Sequence, residues 1–295
     1  MEKVMVAILG TGNIGSDLLA KVMHSKYLAC SLFAGRSSDS KGIARARKMG
    51  INTSTDSVDA ILDNPDCCDI VFDSTNAESH ARHAPMLSRI DKFTLDLTPS
   101  KLGFMCVPVL NLDEALSYND INLITCGGQS SIPIAHALMQ SCPKTEYIEL
   151  ASSISSKSAG PGTRINIDEY VQATRKGMEH FTGVRHAKAI INLNPAEPPI
   201  NMHNTLYMET SCEPDMGAIK KNVAAVVEKM KCYVPGVHIV AGPIFEGDRV
   251  TVITSVIGAG DFLPKYAGNL DIMTCAAVTV AEAYAKKMKG KRASV

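Results

Sequence analysis

Val4-Met5-Val6-Ala7-Ile8-Leu9-Gly10-Thr11-Gly12-Asn13-Ile14-Gly15 is the stretch whose reading sets the fold. Six apolar residues with no polar alternation describe a strand buried on both faces. The strand runs into a Gly-x-Gly-x-x-Gly turn, and Asp17–His24 then carries a helical pattern. In this context the first glycine permits the turn and the second lets backbone approach a pyrophosphate. The third lets helix and strand pack closely. A helix N-terminus placed there offers N–H donors and partial positive charge to phosphates. Gly10, Thr11, Gly12, Asn13, Ile14 and Gly15 are therefore expected to hold a dinucleotide.

The pattern continues outward. Leu28–Ala34, Asp69–Phe72, Phe93–Leu97 and Ile121–Thr125 read as further strands, with Lys41–Met49 and Glu78–Ile90 as helices between them. Such alternation predicts a parallel sheet covered on both faces. The second strand ends Ala34-Gly35-Arg36-Ser37-Ser38, with no carboxylate before Asp39. An acid at this point accepts from the ribose 2′-hydroxyl of NAD, whereas a guanidinium and hydroxyls suit a 2′-phosphate. Arg36, Ser37 and Ser38 thus point to NADP, with NAD as the alternative.

After Cys126 the rhythm changes. Tyr147–Ser153, Ala189–Leu193, Thr205–Thr210, Val237–Phe245 and Arg249–Ile257 read as longer strands, the last two joined by a Gly247-Asp248 turn. Asn166–Phe181 and Met216–Lys231 read as helices among them, which suits an α+β domain. Gly268–Lys289 reads as a long helix able to return to the first domain. The expected division is a dinucleotide-binding domain over 1–126 completed by 268–295, and a catalytic and dimerisation domain over 127–267.

Composition narrows the function classes. Thirty Lys+Arg balance thirty Asp+Glu in 295 residues, so there is no electrostatic footprint for nucleic acid or an anionic membrane. Hydrophobic residues make up 45% and charged residues 20%, which excludes intrinsic disorder. No apolar run reaches the length of a membrane span, and the apolar start is too short for a signal-peptide core. Nine cysteines without regular spacing read as free thiols of a cytoplasmic protein. His80 and His83 have no Cys or Glu at ligand spacing and are expected at the surface, so no metal is predicted.

Cys126 differs from the other thiols in its setting. It ends a strand, Gly127-Gly128-Gln129-Ser130-Ser131 follows, and Ile132–Cys142 reads as a helix. A thiol beside a helix N-terminus has its thiolate stabilised, and glycines expose N–H groups suited to an oxyanion hole. A second loop, Ser152 to Arg164, is rich in small polar residues and is expected outside the core.

These residues resemble a known family. Gly12-Asn13-Ile14-Gly15, Asp96-Leu97-Thr98-Pro99, Val107–Glu114, Thr125-Cys126-Gly127-Gly128-Gln129, Ser155–Arg164, Asn194–Pro199 and Tyr266–Thr274 look like those of acylating acetaldehyde dehydrogenases. The resemblance covers nearly the whole chain. It implies a glyceraldehyde-phosphate-dehydrogenase-like α/β architecture, a homodimer, and a 4-hydroxy-2-oxovalerate aldolase as partner. By the same resemblance Cys126 carries an acyl thioester and Asn166 lies beside the acyl site. Ser156, Lys157, Ser158, Ala159, Gly160, Pro161, Gly162, Thr163, Arg164 and Asn269 join Thr11–Ile14 around the nicotinamide cofactor. Two positions depart from the family: Arg36-Ser37-Ser38 replaces an Ile-Asp-Pro stretch, and Asn204 stands where an Asp helps to activate the cysteine. An amide cannot accept a proton. His203 is a substitute base only if strand alternation does not turn it to the opposite face.

The expected reaction interconverts a short aldehyde and its acyl-CoA through Cys126, with coenzyme A as co-substrate and backbone near Gly127 holding the oxyanion. The alternatives are an acyl-phosphate reductase similar to aspartate-semialdehyde dehydrogenase, and a nucleotide-binding homologue without catalysis.

Overall fold

A computed structural model of the chain describes residues 3–142, 144–160, 164 and 166–293. The chain divides into two compact units, one running to Leu123 and resuming at Thr274, the other spanning Ile124–Met273.

The first unit is built on seven strands: β1 (Val4–Leu9), β2 (Leu28–Ala34), β3 (Thr53–Ser54), β4 (Ile70–Asp73), β5 (Phe93–Asp96), β6 (Phe104–Met105) and β7 (Asp120–Asn122). They pair in the order β3-β2-β1-β4-β5-β7-β6, all parallel. Helices α1 (Asn13–His24), α2 (Lys41–Lys48), α3 (Asp59–Leu62), α4 (Ala77–Arg89) and α5 (Pro108–Ala115) belong to this unit. Val6–Leu9 and Ile70–Phe72 are fully buried, as continuous apolar strands between two helical layers must be. Strand order reverses between β1 and β4, and at this switch point the C-terminal ends of neighbouring strands open a crevice suited to ligands.

The second unit holds α6 (Cys126–Ser141), β8 (Thr145–Ser155), α7 (Ile167–Thr182), β9 (His186–Asn194), β10 (Met202–Thr210), α8 (Met216–Lys231), β11 (Val237–Glu246) and β12 (Arg249–Val256). Its sheet runs β11-β12-β10-β8-β9, antiparallel except for β8 with β9. Helices α6, α7 and α8 pack with the sheet. Ile148, Leu150, Ser152 and Ile154 alternate on the buried face of β8, with Asn204, Leu206 and Met208 on that of β10. The sheet leaves Ile190, Val240 and Ile244 exposed. Helix α9 (Gly268–Ala293) begins in this unit and from Thr274 belongs to the first. There Tyr284 stacks on Phe93 with ring centroids 3.8 Å apart, and Glu282 accepts from Ser25 Oγ at 2.6 Å. Among the described residues no helix is long and apolar enough to cross a membrane.

Three expectations need correction. His80 and His83 are buried, not superficial. One face of α4 presses both against Asp73 Oδ2, from His80 Nδ1 at 3.0 Å and from His83 Nδ1 at 2.9 Å. His80 Nε2 lies 3.5 Å from both Asp96 Oδ2 and Asp120 Oδ1. Burial works against charge on His80, but Asp120, Asp73 and Asp96 outweigh it and raise its pKa to about 10. The second correction concerns α6, which starts at Cys126 and not at Ile132, with Pro133 inside it. Thr125 caps this helix by accepting from Gly128 N–H at 2.9 Å, a hydroxyl N-cap that lets the glycines enter the helix. The third is that Ser152–Ser155 lie in β8 rather than in a loop, and Ser152 is fully buried.

Candidate active site

Cys126 is the first residue of α6, and its position follows from how tightly the following turn packs. A Cβ on Gly127 would stand 2.2 Å from the Tyr170 hydroxyl, and one on Gly128 would stand 3.0 Å from Ile124 Cγ2. Only glycines let this turn press against α7 and the preceding segment. The Cys126 thiol donates to Tyr170 Oη at 3.7 Å, and Gly127 N–H donates to the same oxygen at 3.1 Å. The Ser152 hydroxyl adjoins that of Tyr170, both standing within about 3 Å of where a Gly127 Cβ would lie, and acts to lower the Tyr170 pKa; Ser152 Oγ donates to Asn204 Oδ1 at 2.7 Å. Cys126 and Asn204, far apart in sequence, thus flank two adjoining hydroxyls. Tyr170, Ser152 and Asn204 are 7%, 0% and 1% exposed, so the chain of contacts is shielded from water. The Nδ2 of Asn204 has no hydrogen-bond partner among the described residues.

The electrostatics do not follow the sequence expectation. Burial pushes the Cys126 thiol up to about 11, and the Tyr170 contact and backbone N–H groups recover only part of this. The helix terminus therefore lowers the thiol pKa in direction but does not win. Burial and the neighbouring sulfur also hold Tyr170 well above its ordinary value, so it remains a neutral phenol that can donate as well as accept. The glycine N–H groups are not an open oxyanion hole: that of Gly127 is engaged by Tyr170 and that of Gly128 by Thr125.

Asn166 is the N-cap residue of α7, and its carbonyl accepts from Tyr170 N–H one turn later. His203 lies on the other face of β10 from Asn204, and its Nδ1 meets Asn201 O at 3.0 Å, which removes it as a substitute base. Neither Tyr170 nor Ser152 stood out in the sequence. The available signal was periodicity: Ser152 falls among Ile148, Leu150 and Ile154 on one face of a strand, and a hydroxyl on an apolar face must find a partner.

In the first unit the glycine turn has the geometry its spacing implies. Gly10 has φ of +99°, and a Cβ there would meet Ser74 O at 2.6 Å. A Cβ on Gly15 would meet Gly10 O at 1.8 Å, whereas one on Gly12 would meet nothing within 4 Å. The turn is closed where helix meets strand and open at the helix N-terminus, the shape a pyrophosphate needs. Thr11 joins the second candidate loop, since Ser40 Oγ contacts Thr11 Oγ1 at 2.7 Å and a Cβ on Gly35 would meet Thr11 Cγ2 at 2.7 Å. Arg36, Ser37 and Ser38 are exposed beside this contact. Asn13 and Ile14 open α1.

Ser156–Gly160 follow β8, with Ser158 and Ala159 buried. Lys157 Nζ pairs with Glu197 Oε1 at 2.6 Å, and Arg164 donates to Ser156 O and Ala159 O. Pro161, Gly162 and Thr163 lie outside the described residues. Asn269, on the first turn of α9, is 2% exposed, and its Oδ1 has no partner among the described residues.

Known proteins match this chain along its length. Residues 126–264 match the family described as "Prokaryotic acetaldehyde dehydrogenase, dimerisation". The acetaldehyde dehydrogenase of Pectobacterium atrosepticum is 49% identical over 292 residues, covering 98% of each chain. That of Geobacillus stearothermophilus is 48% identical over 287 residues, covering 97% of each. Among solved structures, aspartate semialdehyde dehydrogenase II of Vibrio cholerae, complexed with ASA, gives a TM-score of 0.61 at 14% identity. It covers 95% of this chain and 98% of its own, a likeness of fold that places the chain in the glyceraldehyde-phosphate-dehydrogenase-like class.

Proposed function

The chain belongs to the acetaldehyde dehydrogenase family, and from that premise we propose that it interconverts acetaldehyde and an acetyl thioester through covalent catalysis at Cys126. The observation that carries this reading is the placement of Cys126 at the start of α6 against the Tyr170 hydroxyl, at the first residue of the family match. In the oxidative direction the Cys126 thiolate attacks the carbonyl carbon to give a tetrahedral thiohemiacetal oxyanion, from which hydride can leave without a further proton transfer. A bound nicotinamide dinucleotide supplies the hydride acceptor for this chemistry. Loss of hydride leaves the acyl group as a thioester on Cys126 sulfur. The thiol of coenzyme A then attacks that carbonyl, loses its proton, and leaves with the acyl group while the thiolate re-forms.

Cys126 suits the role because a thioester keeps its acyl group transferable. Asn166, one turn before Tyr170, is assigned to the acyl group, and Asn269 and the 156–164 segment to the cofactor. The acyl-phosphate alternative rests on a likeness of fold and on Arg164, whose guanidinium already donates to two backbone carbonyls. The matched portion is the family's dimerisation part, and the chain is read as a homodimer. Incubation with acetyl-CoA should leave an acetyl group on the Cys126 peptide, detected by mass spectrometry. An adduct on other cysteines alone would remove the reading.

The cofactor is proposed to be NADP. Arg36 with Ser37 and Ser38 beside Thr11 supports this, because no carboxylate precedes Asp39 to repel a 2′-phosphate. One charge-assisted contact is worth about 1.5–3 kcal/mol, roughly ten- to a hundredfold in affinity. Arg36→Asp should therefore invert the preference in a calorimetric titration. Equal affinities for NAD and NADP in the unaltered protein would count against it.

A further inference from the structure

We propose that Tyr170 is a catalytic residue that hydrogen-bonds the reacting sulfur, and that Ser152 and Asn204 are positioning residues that set the direction in which its hydroxyl points. The proposal deepens the assignment of Cys126 as nucleophile and rests on it.

Ser152 has a single proton, and in the structure it goes to Asn204 Oδ1. Ser152 Oγ can then only accept from Tyr170, whose oxygen is left to accept from Gly127 N–H and from the Cys126 thiol. The chain runs in one direction, from Cys126 to Tyr170 to Ser152 to Asn204, and this is the arrangement a protonated thiol requires. A thiolate has no proton to give and requires the reverse. Reversal needs no proton to cross the chain. Once the thiol proton leaves to solvent, Tyr170 turns its O–H to the sulfur and Ser152 turns its O–H to Tyr170. A half-rotation of the Asn204 amide then presents Nδ2, which is unpartnered among the described residues, to Ser152 Oγ.

Asn204 is what makes both directions available, because an amide carries a donor and an acceptor on one rotor. An ionised Asp at this position only accepts. It favours the forward direction until it takes a proton itself. In that case the S–H bond breaks and Tyr170 takes that proton while passing its own to Ser152. Ser152 passes its proton to the carboxylate, leaving a thiolate and a neutral acid. An Asp thus draws the thiol proton into the protein, whereas Asn204 leaves it to solvent, and both act on Cys126 through the Tyr170 hydroxyl. Gly127 belongs to the same device, since its missing Cβ is what admits the Tyr170 oxygen. The groups that act on Cys126 are Tyr170 and the N–H groups of Cys126 and Gly127, with no charged side chain among them.

The test reads the sulfur directly. The rate of iodoacetamide alkylation is followed at the Cys126 peptide by mass spectrometry across a pH series, with no aldehyde, coenzyme A or nicotinamide present. Tyr170→Phe should slow alkylation near neutral pH by about tenfold, the effect of one hydrogen bond to a charged group, and move the midpoint upward by about one unit. Ser152→Ala should do the same in smaller measure, and Ser152→Thr should restore the original profile. Asn204→Asp should lower the midpoint when Tyr170 is present and should not lower it in the Tyr170→Phe background. A Tyr170→Phe profile within about twofold of the original would overturn the proposal. So would an equal shift from Asn204→Asp in both backgrounds, which is the mark of a through-space field. Should Tyr170→Phe fail to fold by circular dichroism, Ser152→Ala against Ser152→Thr decides: two identical profiles refute the chain, and separation with rescue supports it. The acetyl-adduct experiment is independent of these outcomes. Loss of the adduct removes the proposed reaction, whereas an unmoved alkylation profile removes only the role of Tyr170.

Discussion

Cys126→Ser is expected to fold, to bind its dinucleotide with unchanged affinity, and to lose turnover by about 10³-fold or more, the scale on which removing an essential nucleophile acts. Serine is nearly isosteric, and the Tyr170 contact at 3.7 Å becomes a hydroxyl–hydroxyl contact that the site can still satisfy. The chemistry is not preserved. Burial already pushes the thiol up to about 11, and an alcohol in the same place starts from a much higher pKa. Only a small fraction of the protein therefore carries a thiolate near neutral pH, and activity should rise with pH until the cysteine titrates. Aldehyde-dependent reduction of the nicotinamide, followed by its absorbance in both proteins across a pH series, checks this. A serine variant with a tenth of the original rate, or a natural protein whose rate is flat over the same range, would remove Cys126 from the mechanism.

His80→Ala should produce the largest loss of stability. Asp73, Asp96 and His80 are buried together, and taking out the imidazolium leaves carboxylates facing one another without their counter-charge. Breaking a buried pair from one side costs about 3–5 kcal/mol, which for units of this size lowers Tm by on the order of 10 °C. The pH dependence has a definite sign. His80 rises from an ordinary 6.5 to about 10, so its contribution is complete below about 6.5 and is lost as pH rises through 10. Asp73 is pushed up by burial but held below the carboxylate range by His80, His83 and Thr75, so its contribution is lost on acidification. Asp96 opposes this. Burial raises it to about 6 against the pull of His80, Ser100 and Thr98, so its share declines between about 3.8 and 6. Thermal unfolding by circular dichroism should therefore show an alkaline decline that His80→Ala removes. A Tm unchanged by the substitution, with the alkaline limb intact, would show that the cluster is not ionised as described.

Local pattern carried far in this chain. The apolar run at Val4–Leu9 and the glycine spacing after it are properties of consecutive residues; Gly10 is required by Ser74, just past the adjoining strand, and Gly15 by the carbonyl of Gly10, whereas a Cβ on Gly12 would meet nothing within 4 Å. The bounds of α8 were equally legible, because period 3.6 is fixed by backbone geometry, whereas β8 was legible as a strand but not in the inward face of Ser152. The start of α6 was not. Two glycines and a proline argue against a helix on propensity, and what calls for the glycines is space: the Tyr170 hydroxyl and Ile124 stand where their side chains would be.

The histidines show the same limit more sharply. Spacing of three on a helix places His80 and His83 on one face but says nothing of what that face meets. Asp73, Asp96 and Asp120 come to it from three different strands. Cys126, too, was marked by its neighbours in sequence, while the side chains packed about it were not. Tyr170 reaches Cys126 from α7, and Ser152, on β8, reaches Asn204 on β10. The sequence by itself determined most of the elements, the strand–glycine turn–helix and the setting that sets Cys126 apart from the other thiols, because each is written in a short window of consecutive residues. The tertiary structure alone decided the direction in which burial moves that thiol and which hydroxyls adjoin it, because desolvation and hydrogen-bond contacts depend on which side chains distant segments bring within a few ångströms.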